Sequence, residues 1–400
     1  MRIIVVGNGL AGTIFSKTVH EIEPSVDIQI YADENYRYYP RPNLIEFLAG
    51  NLPYERLFAF PEEWYSTQNI HLSLGSSIKA IHSASNEIEL QGGGKREKFD
   101  ALLLANGAHS FTPPFKGIEK KGVFTLRTLE DALNILGYVK ARGKVAVVGG
   151  GLLGLEIARA LKTRDLEVDV VEFFPRLLPR QLDPQGAEIL KLQIEKMGIG
   201  VFLGKATEEI LGDREVKGLR FKGGEILEAD SAVVAAGVRP NIQLALDAGL
   251  EVDRGIVVND YLQTSRKGIF AAGDGAQFNG VVPGIISAAF EQARTAASNV
   301  LGIKQRYQGT ISSNTLKVAG VDVTSIGQVN PEEKVEEYRF EDKDAGVYKK
   351  IVIKKGELIG AIWMGTKKGI KEINQVISRK MNIEEFKTSL LKKDFDFSEL

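Results

Sequence analysis

The chain has 400 residues, of which 44% are hydrophobic and 26% charged, with a formal net charge of −1. That is the composition of a soluble globular protein of two or three domains, and the near-zero charge gives no reason to expect a nucleic-acid or membrane-surface partner. There are no cysteines, which excludes a disulfide framework, cysteine-ligated zinc or iron–sulfur, and any thiol redox centre within the chain.

No apolar run approaches the roughly 20 residues of a membrane span. At the start, Arg2 and four apolar residues run straight into Gly7-Asn8-Gly9, too short a run for the core of a signal peptide. A cytoplasmic protein is expected.

In chain order, residues 1–31 read as strand, glycine turn, helix and strand: "RIIVVGNG", "LAGTIFSKTVHEIE", "DIQIY". A β-like stretch follows in "HLSLGSSIKAIHSASNEIEL", with a turn at "QGGGK" and a buried strand in "FDALLLANG". "FTPPF" cannot be helical and reads as a connection between domains. Residues 144–172 then repeat the opening plan as "KVAVVGGG", "LLGLEIARALKT" and "LEVDVVE", and "VKGLRFKGGEILEADSAVVAAG" repeats the β stretch. Each opening is a βαβ unit of parallel strands and crossover helix, so the chain carries one plan twice.

From about residue 307 the pattern changes to antiparallel strands in "KVAGVDVTSIG", "EEYRF" and "VYKKIVIKKGELIGAIWMG", with turns at "DAG" and "KKGE". In "KGIKEINQVISRKM" the apolar residues 370, 373, 376 and 377 fall on one helical face. The last stretch, "IEEFKTSLLKKDFDFSEL", reads either as an interaction tail or as a packed terminal helix.

The glycines carry the chemistry. In the first turn Gly7, Gly9 and Gly12 enclose Leu10 and Ala11, and in the second Gly149, Gly151 and Gly154 enclose Leu152 and Leu153. The first glycine of such a pattern permits the tight turn, the second lets backbone approach a pyrophosphate, and the third lets helix and strand pack closely. The helix N-terminus then offers free N–H groups to the phosphates. An acid stands at the distance of a ribose 2′-hydroxyl in both copies: Asp33 and Glu34 after the first, Glu172 after the second. Two dinucleotides are therefore expected. Glu172 repels a 2′-phosphate and favours NADH, while Arg176, four residues on, suits such a phosphate and leaves NADPH open.

On these motifs the chain resembles the two-dinucleotide-binding flavoprotein reductases, the FAD/NAD(P)H branch that contains disulfide, ferredoxin and rubredoxin reductases. The resemblance covers nearly the whole length. "ALLLANG" is similar to that family's strand ending in Ala-Thr-Gly, with Asn106 in place of the threonine, and "AVVAAGVRPN" to the matching element after the NAD unit. "GIFAAGDGAQF" resembles the family's Gly-Asp motif, and "NTLKVAGVDVTSIG" the start of the C-terminal domain in rubredoxin reductase and nitrite-reductase-like members.

The resemblance implies an α/β fold with two Rossmann-like domains and a small C-terminal α+β domain. An FAD domain would comprise residues 1–112 and 241–306, an NAD domain 113–240, and the C-terminal domain 307–400. It implies that FAD lies on Gly7, Gly9, Leu10, Ala11, Gly12, Asp33, Glu34 and residues Ala105, Asn106 and Gly107. Asp274 would hold the ribitol and Gly273 would admit the phosphate; Arg41 and Pro42 would meet the ring or pyrophosphate, Ile78 would offer backbone to adenine, and Arg127 and Lys317 would complete the site. Arg127 also reads as a simple partner of Glu130 or Asp131. The helix of "PGIISAAFEQARTAASNV", starting at Pro283, would aim its positive end at the flavin. NADH would lie on Gly149, Gly151, Leu152, Leu153, Gly154, Glu172 and Gly237, with Glu156 near the nicotinamide. Glu156 reads equally as a first-turn acid favoured by the helix dipole. None of the four histidines has ligand spacing, and no metal is expected.

The acceptor is argued from departures. Disulfide reductases of the family carry a cysteine pair, and coenzyme A disulfide reductases and water-forming NADH oxidases carry one cysteine beside the flavin; this chain has none. Ferredoxin reductases show a serine–lysine pair after the proline loop, where Ile45 and Glu46 stand here. The likeness therefore moves toward the rubredoxin reductase and nitrite-reductase-like branch, and implies an FAD-dependent NADH oxidoreductase serving a small redox protein of rubredoxin or ferredoxin type. The alternatives are a diaphorase or NADH oxidase-type subunit of a larger redox complex, and a redox-sensing nucleotide-binding interaction protein. Residues 340–381 hold ten Lys/Arg against five Asp/Glu. They read either as a basic surface that steers an acidic carrier or as solvated, edge-protecting lysines.

Overall fold

The computed structural model describes residues 1–139, 143–310, 313–318 (backbone alone), 321–392 and 395–397. The elements that position the site run, in chain order, β1 (Arg2–Val6), α1 (Leu10–Ile22), β2 (Asp27–Tyr31), β3 (Ile70–Ser73), β4 (Ala101–Leu104), β5 (Lys144–Val148), α2 (Leu152–Lys162), β6 (Glu167–Glu172), α3 (Pro184–Lys196), β7 (Ile199–Leu203), β8 (Ser231–Val234), β9 (Ile269–Ala271) and α4 (Ile286–Val300). They continue with β10 (Ser313–Val318), β11 (Val321–Gly327), β12 (Glu336–Asp342), β13 (Val347–Lys354), β14 (Glu357–Met364) and α5 (Ile370–Ser378). Two compact units result. The first holds Met1–Leu44, Leu52–His109 and Val238–Thr310; the second holds Ile45–Asn51, Ser110–Gly237 and Ile311–Leu400.

In the first unit a five-stranded sheet runs in the order β9-β4-β1-β2-β3, parallel throughout. Strands covered on both faces read as unbroken apolar runs, and Ile3, Ile4 and Val5 and Leu102 and Leu103 are fully buried. α1 packs against α4. Their contact surfaces are small, with Ala11, Gly12 and Ser16 buried on one helix and Ala289, Ala293, Ala296 and Ala297 on the other. α4 begins at Ile286 and not at Pro283. Gly284 has φ +61 and Ile285 is extended, so no helical run can start before them.

The second unit repeats the parallel plan in the order β7-β6-β5-β8 with the strand Val123–Phe124 at the far edge. It also holds an antiparallel sheet, β10-β11-β14-β13-β12. α5 buries Ile373, Val376 and Ile377 in the core of that sheet. The end of the chain is neither a helix nor a free tail among the described residues. Leu390, Leu391, Phe395 and Phe397 are buried in the same cluster, which also holds Trp363.

This packing corrects part of the expected basic surface. Lys349 and Lys350 are 5% and 2% exposed, although they are neighbours on a strand and so point to opposite faces. Lys350 Nζ pairs with Glu337 at 2.8 Å and donates to the Val329 carbonyl at 2.9 Å. Lys349 Nζ donates to the carbonyls of Leu391 and Lys392 at 3.2 and 3.4 Å and lies 5.1 Å above the Trp363 ring. Burial, with Lys368 nearby, holds the Lys349 ammonium below its usual range. What is left exposed is Lys343, Lys354, Lys355, Lys367, Lys368, Lys371, Arg379 and Lys380.

Candidate functional site

The first glycine turn lies between β1 and α1. Gly7 has φ +105, its N–H donates to the Tyr31 carbonyl at 2.8 Å, and a Cβ on it would stand 2.4 Å from the Ala105 carbonyl oxygen. A Cβ on Gly12 would stand 2.0 Å from the Gly7 oxygen. Both positions are closed to any side chain. Gly9 differs, because a Cβ there would meet nothing within 4 Å. It is also the N-cap of α1 and gives no side-chain cap, so the first amides of the helix have no side-chain acceptor. An open glycine followed by uncapped amides is a cradle for an anion.

Side chains hold the turn from outside. Asn8 Nδ2 donates to the Tyr65 hydroxyl and Thr13 Oγ1 to Asn8 Oδ1, both at 3.3 Å, while the same hydroxyl accepts from the Tyr38 N–H at 3.1 Å. Burial pushes the Tyr65 phenol up. A Cβ on Gly273, φ +85, would stand 3.0 Å from that of Ala11, so the Gly-Asp motif packs on the turn. The Gly273 N–H donates to Gln292 Oε1 at 2.8 Å, and Gln292 is fully buried. Residues 7–12, 105–107 and 273–274 therefore come together at the carboxyl ends of β1, β4 and β9. Half-buried Asp274 is at their edge.

The acids that follow β2 behave differently from each other. Asp33 is exposed. Glu34 takes Arg41 Nη2 at 2.5 Å and the Tyr39 hydroxyl, and Arg41 Nη1 also donates to that hydroxyl at 2.9 Å. Arg41 is thus engaged by a carboxylate, and Pro42 beside it is exposed. Gly75 and Ser76 donate to the Glu34 and Ala32 carbonyls, which sets Ile78 near the end of β2.

The second turn, between β5 and α2, has the same construction. Gly149 has φ +125, and a Cβ on it would stand 2.4 Å from the Ala235 oxygen; one on Gly154 would stand 1.9 Å from the Gly149 oxygen; one on Gly151 would meet nothing within 4 Å. Leu152 and Leu153 open α2 above it. Glu172 ends β6 at 6% exposure, and its two oxygens accept from the N–H groups of Gly150 at 2.5 Å and Phe174 at 2.8 Å. Beyond it Phe173 and Phe174 are exposed. Gly237, φ +104, also has open space where a side chain would be.

Glu156 is half-buried on α2. Burial pushes its carboxyl above the usual range, Arg159 opposes this, and Glu46, paired with Arg159 at 2.5 Å, adds to it. The N–H groups of Arg127 and Thr128 both donate to Asp131, which with Thr128 forms the capping box of the helix Leu129–Tyr138. Lys317 falls on β10, whose side chains lie outside the described residues. Sequence reasoning missed Asn8, Tyr65, Gln292 and Asn241. Of these only Gln292 left a signal, an amide among alanines on a helix face.

Both cradles fit a dinucleotide by a direct test, since in each the middle glycine alone faces open space. Among the described residues no three metal-ligating side chains cluster, and no helix is long and apolar enough to cross a membrane.

The chain is similar to known proteins along its length. Residues 1–299 match the family described as pyridine nucleotide-disulphide oxidoreductase, and residues 313–381 match the rubredoxin NAD+ reductase C-terminal domain. The chain is 36% identical over 389 residues to an NAD(P)H nitrite reductase of Bacillus subtilis, covering 96% of this chain and 48% of that protein. It is 30% identical over 369 residues to the NADH-rubredoxin oxidoreductase of Clostridium acetobutylicum, covering 92% and 93%. The crystal structure of NADH:rubredoxin oxidoreductase from Clostridium acetobutylicum superposes with a TM-score of 0.83 at 27% identity, covering 97% of each chain. The chain spans about half the length of the first curated relatives it matches.

Proposed function

Because the chain belongs to the pyridine nucleotide-disulphide oxidoreductase family, a family of FAD- and NADH-dependent oxidoreductases, we propose that it carries electrons from NADH to a small redox protein of rubredoxin or ferredoxin type. Bound FAD supplies the change from a two-electron hydride to single electrons, which a one-electron carrier needs. The observation that supports this most is the pair of open cradles, at Gly9 and at Gly151, in one chain without cysteine. With no cysteine among these 400 residues, the electrons leave to an acceptor outside them.

In this reading the amides of residues 10–12, with Gly273 and Asp274, hold FAD in the first unit. Asn106 and Glu34 lie at the same edge. Residues 149–154 take the NADH pyrophosphate in the second unit. Glu172 keeps a lone pair on each oxygen beyond its backbone partners and accepts from the ribose hydroxyls, which favours NADH over NADPH. Glu156 stands beside the nicotinamide as a carboxyl of raised pKa. The three-part division into residues 1–112 with 241–306, 113–240 and 307–400, and a cytoplasmic location where NADH is supplied, belong to the same proposal.

A second reading has its own support. Relatives such as the nitrite reductases are about twice as long as this chain, which suits an electron-input module of a larger redox assembly. One titration separates the two. NADH, then NADPH, is added to the purified protein while flavin absorbance is followed, and oxidised rubredoxin, ferredoxin or oxygen is added next. Bleaching by NADH with fast reoxidation by rubredoxin supports the lead reading. Bleaching with slow reoxidation by every carrier supports the second, and no flavin binding at all removes both.

A further inference from the structure

Two asparagines face each other where the chain leaves the first unit and where it returns. Asn106 Nδ2 donates to the Asn241 carbonyl at 2.9 Å, and Asn241 Nδ2 donates to the Asn106 carbonyl at 2.7 Å. The Asn241 N–H donates to the Gly107 carbonyl at 2.9 Å, and His109 Nδ1 meets Asn241 Oδ1 at 2.7 Å. A carbonyl only accepts, so the Asn106 amide cannot be turned round without losing its bond. Its orientation is fixed, and its oxygen faces the other way.

That oxygen is buried and has no hydrogen-bond partner among the described residues. Buried acceptors are rarely left unpaired. Its surroundings say what belongs beside it. A Cβ on Gly275 would stand 3.8 Å from Asn106 Oδ1, and a Cβ on Gly7 would stand 3.2 Å from Asn106 Cα. The atom thus lies between the first glycine turn and the Gly-Asp motif. An acceptor calls for a donor, and phosphate oxygens offer none. The donors next to a pyrophosphate in FAD are the hydroxyls of its ribitol and its ribose.

We propose that Asn106 Oδ1 accepts a hydrogen bond from a sugar hydroxyl of FAD, and that Asn241 is the positioning residue that fixes Asn106 for it. The inference rests on FAD occupying the first unit and names the atom that orients it there. The threonine expected at this position from the family resemblance is replaced by an amide whose nitrogen ties down the returning chain and whose oxygen serves the cofactor. Cofactor affinity and the chain crossing are then linked through one side chain.

The test is FAD titration of the cofactor-free protein, read by flavin fluorescence, alongside thermal unfolding without FAD. Asn106→Ala weakens FAD binding about tenfold, and Asn241→Ala about threefold. The double variant binds no more weakly than Asn106→Ala, because Asn241 acts only through its neighbour. In the wild-type protein one FAD analogue lacking a single ribitol or ribose hydroxyl shows the same loss, and Asn106→Ala is indifferent to that analogue. Lowered thermal stability with unchanged FAD affinity in Asn106→Ala overturns the proposal, since the clasp then only holds the chain. If that variant does not fold, the analogue series on the wild type decides, and equal affinity for every analogue overturns it. Failure of the wild type to bind FAD refutes the underlying assignment instead.

Discussion

The two glycine turns share a backbone and differ in the company their acids keep. Each has a left-handed first glycine pressed on a neighbouring strand, a third glycine against the first, and an open middle glycine. After the first turn, Glu34 is held by a guanidinium and a phenol at a partly exposed edge. After the second, Glu172 is buried and held by two main-chain amides. A backbone-held carboxylate is locked in place and keeps its full charge toward a ligand. A cation-held one is half neutralised before any ligand arrives. On the proposed function, the second turn would therefore discriminate by charge and the first would mainly hold.

The largest expected effects test the shared part. Gly12→Ala and Gly154→Ala each force a Cβ to within 2.0 and 1.9 Å of a carbonyl oxygen, and each should cost about 3 kcal/mol in its unit, measured by thermal unfolding without cofactor. Gly9→Ala and Gly151→Ala meet no protein atom. They should leave that unfolding unchanged and still weaken FAD and NADH binding, respectively, by about tenfold or more, because the added carbon occupies the phosphate approach. Loss of stability at Gly9 or Gly151 would show that these positions are packing sites, and the likeness of the turns would lose its functional meaning.

That contrast also marks what the sequence could reveal. The turns were legible because what demands glycine at residues 7, 12, 149 and 154 acts within the turn itself or through the strand end beside it. The parallel strands and the face of α5 were legible from periodicity for the same reason. Lys349 and Lys350 were not, since their burial depends on Glu337, Val329 and the chain end around residue 391 covering both faces of β13. The packed chain end was open to two readings because its four apolar anchors also suit one helical face, while what they pack on lies on strands and a helix far from them in the sequence. The start of α4 was misplaced because Pro283 gives a valid helix signal that Gly284 and Ile285 override through their dihedrals. Asn241 was invisible as a site residue, since its partner Asn106 is 135 positions away.

The acids sharpen the comparison at smaller scale. Glu172→Gln replaces one acceptor with an amide that faces a backbone N–H, so about 1–2 kcal/mol of stability is lost. NADH affinity should fall about tenfold while NADPH, relieved of a like charge, loses little; initial rates with both donors check this. Glu34→Gln leaves Arg41 at a partly exposed edge, where losing an ion pair costs under about 1 kcal/mol, and FAD affinity should fall only about threefold. Equal losses from the two variants would erase the distinction between backbone-held and cation-held acids.

The smallest effect concerns the pH dependence of the second unit, where two carboxyls shift in opposite directions. Glu156 is pushed up by burial, so the folded state holds its proton to higher pH than the unfolded chain does. The stability it contributes is complete below the ordinary carboxylate value and fades as pH rises through the raised one. Asp183 is the reverse. Burial pushes it up, but the Tyr348 hydroxyl at 2.7 Å, the Gly186 N–H at 3.0 Å, Lys350 and Arg339 outweigh this and hold it below its usual range. Its contribution is present above the ordinary value and is lost as pH falls through the lowered one. Glu156→Gln should therefore make unfolding less sensitive on the mildly acidic to neutral side, by about 1 kcal/mol or less given Arg159 nearby. Asp183→Asn should remove an acid-side loss instead. If Glu156 also faces the nicotinamide, the rate of flavin bleaching by NADH has a pH step that Glu156→Gln abolishes and Asp183→Asn leaves in place. An unfolding profile that changes without any change in that step would make Glu156 a structural acid of α2, and the second turn would then discriminate through Glu172 alone.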